Sequence, residues 1–188
     1  MKHERWITFC EVLLLVLSLN TIVHADLIYQ PAPGTNEDQL WREAGSHLLA
    51  GVARIFDGLS AVELGKKDLA DEHLKGALSR LKRSSGSYVE LTGAIKSPRK
   101  FPIAYLPADQ RDRIKGTFDA YKVPVPGDER ELATLATNEI ERIVSFLNGN
   151  RIKVIGADLR AVQALLSEIT RLQRIGTHSA ELMSKILK

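Results

Sequence analysis

The clearest hydrophobic pattern in the sequence lies between residues 36 and 67. Apolar residues recur there every three or four positions, which places them on one face of an α-helix. The residues on this face are Leu40, Ala44, Leu48, Val52, Ile55, Leu59 and Val62. Thr35 or Asn36 suits the N-cap, acidic residues follow in the first turn, and Gly65 precedes two lysines at the end. We therefore predict a long amphipathic helix whose apolar face builds the core.

Small residues line one edge of the same helix. Gly51, Gly58 and Gly65 follow Ala44 at intervals of seven residues, and we call these three glycines the glycine edge. A glycine inside a helix costs about 1 kcal/mol relative to alanine, so the spacing indicates that something approaches this edge closely. A neighbouring helix is one such occupant, and a ligand or partner helix in a groove is another. The three glycines are therefore candidate partner-binding residues.

Four further segments have the period of an amphipathic helix. They cover residues 68–95, 107–121, 128–147, and a last stretch from residue 151 or 158 to the C-terminus. Serines and a glycine at 83–87 favour a kink or break in the first of these segments. Asn148, Gly149 and Asn150 are typical of a tight turn. The only short strand candidate is 151–155.

The lengths of the connections predict how these helices pack. A very short turn near residue 67 and another near residue 149 make the flanking helices antiparallel neighbours. A longer proline-rich connection crosses the middle of the chain. We predict an all-α fold, an antiparallel four-helix bundle with one extra short helix, formed as a single domain by residues 36–188. An extended arm at residues 26–35 precedes it.

The N-terminus has the layout of a secretory signal peptide. Lys2 and Arg5 precede an apolar run at residues 12–19, and Val23 and Ala25 occupy the positions that a signal peptidase reads. The run has about eight residues, against roughly 20 needed to span a bilayer. We predict cleavage after Ala25, export to a bacterial periplasm or beyond it, and no stable transmembrane span afterwards. An uncleaved N-terminal anchor is the alternative.

Cysteine content and charge narrow the chemistry. Cys10 is the only cysteine, so the exported chain would have none. This excludes structural disulfides, cysteine zinc sites and a thiol nucleophile. The formal net charge is +3, which favours anionic surfaces but is too small to indicate nucleic acid.

Two residues suggest a cofactor. Met183 lies on the apolar stripe of the last helix, and His47 lies on the same side of its helix as the glycine edge. A methionine and a histidine from separate helices can hold haem, and small residues would leave room for a flat group. The plain alternative is a boundary histidine and a core methionine. No other histidine spacing indicates a metal site.

A basic cluster lies in the proline-rich loop. Lys96, Arg99 and Lys100 fall within five residues, beside three prolines. They are candidate contacts for another envelope protein or for an anionic envelope component such as lipid headgroups or cell-wall polymers. A solvated face is the alternative.

The sequence contains no recognisable catalytic constellation. It has no glycine-rich phosphate loop after a strand, no nucleophile elbow and no triad context for a histidine. We therefore predict a non-catalytic binding or interaction module of the bacterial cell envelope. The alternative is a periplasmic bundle that binds a cofactor or small molecule, with haem as the specific candidate.

Overall fold

The computed structural model describes the backbone of residues 34–186 and the side chains of residues 34–184. The signal peptide and most of the extended arm predicted above lie outside these residues. Within them the protein is all-α, as predicted, with a single β-bridge between Lys100 and Asp128. The helices are α1 (Asn36–Glu63), α2 (Lys67–Ala94), α3 (Ala108–Ala120), α4 (Glu129–Ile155) and α5 (Leu159–Ile186), with a 3₁₀ turn at Ile103–Tyr105.

Local chemistry defines both ends of α1. The Thr35 hydroxyl accepts a hydrogen bond from the Asp38 N–H at 3.2 Å, which caps one of the free donors of the first turn. At the other end Gly65 takes a φ of +71°. Its N–H donates to the Val62 carbonyl, and the Lys66 N–H donates to the Ala61 carbonyl. This is a Schellman ending, in which glycine takes the left-handed conformation at least cost.

The long helices form antiparallel neighbours. Residues 64–66 join α1 to α2 and residues 156–158 join α4 to α5, so each pair must reverse direction. Between the pairs, Asp71 near the start of α2 contacts Arg151 near the end of α4. Arg130 at the start of α4 donates to the Ile95 carbonyl just after α2. Helices α2 and α4 are therefore antiparallel too.

Apolar side chains from all five helices form one continuous core. Its fully buried members include Ile55 from α1, Leu81 from α2, Phe118 from α3, Ile143 from α4 and Leu165 from α5. The fold is thus an all-α helical bundle. That four of the helices form one antiparallel four-helix bundle stays a prediction.

Two local predictions from the sequence are wrong. No turn forms at residues 148–150, because the buried face of α4 continues past it from Leu147 to Val154. Of the kink or break predicted at residues 83–87, the break is wrong, because α2 is continuous there. The serines there are buried instead, and the Ser84 hydroxyl donates to the Ala44 carbonyl of α1 at 2.8 Å. Packing between helices has outweighed weak helix propensity in both segments.

In the turn between α4 and α5, the left-handed conformation falls on the residue that follows the glycine. Ala157, and not Gly156, takes the left-handed conformation, with a φ of +58°. The Asp158 carboxylate then accepts from the Ala161 N–H at 3.0 Å and caps α5. The last helix is continuous from there through Gly176.

A candidate apolar binding cavity

An apolar cavity of about 80 Å³ lies where the four long helices meet. Its walls come from the first half of α1, the second half of α2, the first half of α4 and the second half of α5. The lining residues are Trp41, Leu48, Tyr88, Leu132, Leu135, Ala136, Glu139, Leu172, Ile175, Gly176, Ser179 and Met183. Cavities between the helices of a bundle are frequent ligand sites.

Two aromatic rings fix one wall of the cavity. Trp41 and Tyr88 are both buried, and their rings meet edge to face, with centroids 5.6 Å apart and planes at 87°. This is a favourable arrangement for an aromatic pair. The two rings thus form a packed, apolar part of the cavity wall.

The cavity has one charged group at its edge. Glu139 is only 3% exposed, and it forms a two-point ion pair with Arg171. Arg171 Nε lies 2.5 Å from Glu139 Oε2, and Arg171 Nη2 lies 2.8 Å from Oε1. The hydrogen bond to Glu139 raises the pKa of Arg171 above its ordinary value, although burial acts in the opposite direction.

Tyr121 completes the surroundings of Arg171. Its carbonyl accepts from Arg171 Nη1 at 3.0 Å, and its ring lies 5.2 Å from the guanidinium carbon in a cation–π contact. The carboxylate and guanidinium are thus both occupied by partners. The cavity therefore offers mainly apolar surface to a ligand, and the carboxylate of Glu139 is held by Arg171 through two hydrogen bonds.

Gly176 is a lining residue of the cavity with free space beside it. A Cβ atom placed on Gly176 would meet no heavy atom within 4 Å. The glycine lies inside α5, next to buried Ile175, and it lines the cavity. A longer side chain at this position would therefore extend into empty space.

The structure separates the two residues predicted to hold a cofactor. Met183 is buried and lines the cavity, whereas His47 is not among the lining residues. His47 Nδ1 lies 3.2 Å from Arg80 Nη1, and its Nε2 lies 3.8 Å from Glu43 Oε1. His47 therefore belongs to the polar surface between α1 and α2. Haem binding by the pair stays a prediction that this geometry does not support.

The glycine edge divides into two roles. A Cβ on Gly51 would lie 2.8 Å from Leu81 Cγ, and one on Gly58 would lie 2.9 Å from Leu74 Cδ2. Both glycines therefore accommodate leucines of α2, and this helix is the partner at that edge. Gly65 instead ends α1, as described above, and a Cβ there would meet nothing within 4 Å. Internal packing thus occupies the surface of Gly51 and Gly58.

The basic loop also makes internal contacts. Arg99 pairs with buried Glu129, with its Nε 2.7 Å from Oε1, and Lys100 Nζ lies 2.8 Å from Asp128 Oδ2. The hydrogen bond and charge of Asp128 raise the pKa of Lys100. Of the three cluster residues only Lys96 makes no ion pair with a described residue. Arg99 and Lys100 are thus ion-paired within the fold, and contact of the three residues with a partner stays a prediction.

Asp128 is the centre of this loop contact. Burial alone would raise its pKa, but hydrogen bonds from Lys100 and from the N–H groups of Glu131 and Arg130 outweigh burial, so the pKa is lowered. The same carboxylate caps the start of α4. One aspartate thus both begins a helix and fixes the proline-rich loop against it.

Glu139 is a cavity residue that could have been found from the sequence. It falls in the apolar period of α4, between Leu135 or Ala136 and Ile143. A carboxylate in that position is buried and needs a cation, but the sequence does not show that Arg171 supplies it. Gly176 could not have been found in this way, because the sequence does not show whether the space beside a glycine is empty or filled by a neighbouring side chain.

No protein-family model matches this chain, and neither does any curated protein or solved structure. Within residues 34–186, no helix is long and apolar enough to cross a membrane. The same residues contain no group of three or more histidine, cysteine, aspartate or glutamate side chains that could hold a metal ion.

Proposed function

We propose that this protein is a non-catalytic helical bundle that binds a slim apolar group, such as an alkyl chain, in the cavity beside Trp41 and Tyr88. The observation that carries this proposal is the unfilled space at Gly176. Gly176 is half-buried and lines the same apolar cavity as buried Met183 and the two aromatic rings. Native cores are close-packed, so retained apolar space between helices is typical of a binding site.

The size of the cavity limits the ligand. At about 80 Å³ it is roughly half the volume of an engineered 150 Å³ cavity that accepts benzene. An alkyl segment of about four carbons is a better match than a ring. Burial of each methylene group contributes about 0.8 kcal/mol, so four contribute roughly 3 kcal/mol. That alone gives an affinity weaker than millimolar, and a physiological ligand must therefore also contact the protein outside the cavity.

We propose a non-catalytic role because the charged groups at the cavity are paired with each other. Glu139 and Arg171 satisfy each other through two hydrogen bonds. A general acid or base must be free to exchange a proton with a substrate, and a carboxylate held in this way is not. We further propose that α1, α2, α4 and α5 act as one antiparallel four-helix unit around the cavity, because each contributes to its lining.

The location of the protein is a separate proposal. The pattern of residues 1–25 supports export to a bacterial periplasm or cell envelope, where alkyl chains of lipids are abundant. The N-terminus of the purified protein, determined by mass spectrometry, tests this. A chain that begins at Asp26 supports it, and a chain that retains residue 2 in an exported fraction supports an anchor.

Fluorescence of Trp41 tests the cavity directly. The sequence has two tryptophans, so Trp6→Phe leaves Trp41 as the only tryptophan, which is excited selectively at a wavelength where tyrosine does not absorb. Straight-chain alcohols of increasing length are the probe. We expect a saturable change in emission and an affinity that rises about fourfold per methylene until the cavity is filled, which is the fold-change for 0.8 kcal/mol.

A matched pair of variants distinguishes binding in the cavity from non-specific binding of alcohols to the protein surface. Gly176→Leu fills the cavity, and Gly149→Leu adds the same side chain to an exposed glycine inside α4. Both gain helix propensity, so both should stay folded. We expect Gly176→Leu to abolish the saturable response and Gly149→Leu to keep it. Equal responses from the two variants would refute the proposal.

A further inference from the structure

Exposed apolar side chains are concentrated at one end of the bundle. Six large hydrophobic residues are exposed among the described residues, and four of them lie in or beside the two tight turns. These four are Leu64 (68% exposed), Leu69 (39%), Ile152 (71%) and Leu159 (65%). We call residues 64–69 and 152–160 the turn end. Clusters of exposed apolar side chains mark interaction surfaces, whereas single ones need no explanation.

The two turns belong to one surface because α2 and α4 hold them together. Asp71 contacts both Arg151 of α4 and, at 2.6 Å, Lys75 of its own helix. The hydrogen bond from Lys75 and the charge of Arg151 lower the pKa of Asp71, although burial opposes this. Helix α1 begins and α5 ends at the opposite end of the bundle, so the described chain leaves the turn end uncovered.

Exposed cations that form no ion pair with a described residue lie in the same two segments. Lys66, Lys67, Lys153 and Arg160 are exposed and form no ion pair with a described residue. The turn end also contains two carboxylates, Asp68 and Asp158, so four cations and two carboxylates give a net charge of +2. The Asp158 carboxylate is already used to cap α5. The turn end thus combines exposed apolar side chains with a small excess of cations.

We propose that the turn end docks on the surface of an anionic lipid bilayer, with the four apolar side chains entering the boundary between headgroups and acyl chains. An anionic bilayer offers an apolar layer to the hydrophobic side chains and negative charge to the cations. Leucines flanked by lysines are typical of contacts at such a surface. A second copy of this chain fits less well, since a symmetric contact would bring the unpaired cations of two turn ends together. This proposal is independent of the cavity.

A fluorescent label maps the contact on the full-length chain. Cys10→Ser removes the native thiol, and Ile152→Cys then places an environment-sensitive dye on the turn end. Gly116→Cys is the matched control, because it is exposed on α3, whose Arg113 contacts Glu181 near the other end of α5. We expect a blue shift at position 152 alone when vesicles rich in phosphatidylglycerol are added, and a much smaller shift with phosphatidylcholine alone.

Three results would overturn the proposal. One is bound vesicles without a shift at 152, as attachment through the N-terminal segment would give. Another is an equal shift at both positions. The third is a shift at 152 that rises with protein concentration in the absence of lipid, which would assign the surface to a second copy.

Paired substitutions give an independent measurement. Leu64→Ser with Leu159→Ser removes two apolar contacts from the turn end, and Val89→Ser with Tyr105→Ser removes the two exposed hydrophobic residues that lie elsewhere. All four side chains are exposed, so folding should be preserved. Burial of one leucine changes a partition constant on the order of tenfold or more. We expect at least about tenfold weaker vesicle binding for the first pair and unchanged binding for the second, and equal binding by both would contradict the proposal.

Discussion

Replacing Gly51 with alanine probes the closest contact between α1 and α2. The new Cβ would lie 2.8 Å from Leu81 Cγ, 2.9 Å from its Cδ2 and 3.3 Å from its backbone nitrogen. Carbon atoms pack best at about 3.5–4.0 Å. Leu81 is fully buried, so neither its side chain nor its backbone can move away without disturbing other contacts. Overpacking of this kind costs about 1–3 kcal/mol.

The gain in helix propensity partly offsets that cost. Alanine is about 1 kcal/mol better than glycine inside a helix, so the net loss for Gly51→Ala is about 0–2 kcal/mol. Gly149→Ala separates the two terms, because Gly149 also lies inside a helix and its Cβ would meet nothing within 4 Å. That variant should gain about 1 kcal/mol. The expected difference between the two variants is therefore about 1–3 kcal/mol.

Urea unfolding followed by circular dichroism measures both free energies. In a Leu81→Ala background the two closest contacts are removed and only the backbone nitrogen at 3.3 Å remains. Gly51→Ala should therefore cost less there than in the natural sequence. Leu81→Ala alone should cost about 2–5 kcal/mol. If Gly51→Ala were as stabilising as Gly149→Ala in the natural sequence, α1 and α2 would not be in the close contact described above, and the reasoning would fail.

Two further predictions concern charged groups. Glu139→Gln should cost about 3–5 kcal/mol in unfolding free energy, because it leaves the Arg171 guanidinium buried without its counter-charge. Glu139→Leu combined with Arg171→Met should recover most of this loss. A loss below about 1 kcal/mol in the single variant would show that the pair is not buried. The lowered pKa of Asp128 contributes stability that is present above its ordinary value of 3.8 and is lost as the pH falls through the folded value. Asp128→Asn should therefore flatten the acid side of a plot of unfolding free energy against pH, and an unchanged acid side would contradict the ion pair with Lys100.

The helices could be predicted from the sequence because their signals are local. The apolar period of α1, its Thr35 cap and its ending at Gly65 all act within one or two turns of the helix. The continuous helices at residues 148–150 and 83–87 could not be predicted in this way. There the deciding contacts, such as that of Ser84 with the Ala44 carbonyl, join residues 40 positions apart.

The candidate site was predictable only in part, for a similar reason. Met183 was identified because it lies on an apolar stripe, which is a property of one helix. Whether His47 shares a cavity with it depends on the rotation of α1 relative to α5, and a single helical period contains no information about that. In the structure His47 faces Arg80 and Glu43 instead. Arg99 and Lys100 likewise find acidic partners about 30 residues away.

The glycines show why a binding site cannot be located from small residues alone. Gly51 and Gly58 attract attention by their regular spacing, yet leucines of α2 fill the space beside both. Gly176 belongs to no such series, and the space beside it is empty. In each case a helix tolerates a residue that weakens it by about 1 kcal/mol. Where a neighbouring side chain fills the gap, packing offsets that cost within the folded protein. At Gly176 nothing in the described chain does so, and a ligand in the cavity would supply the missing contact.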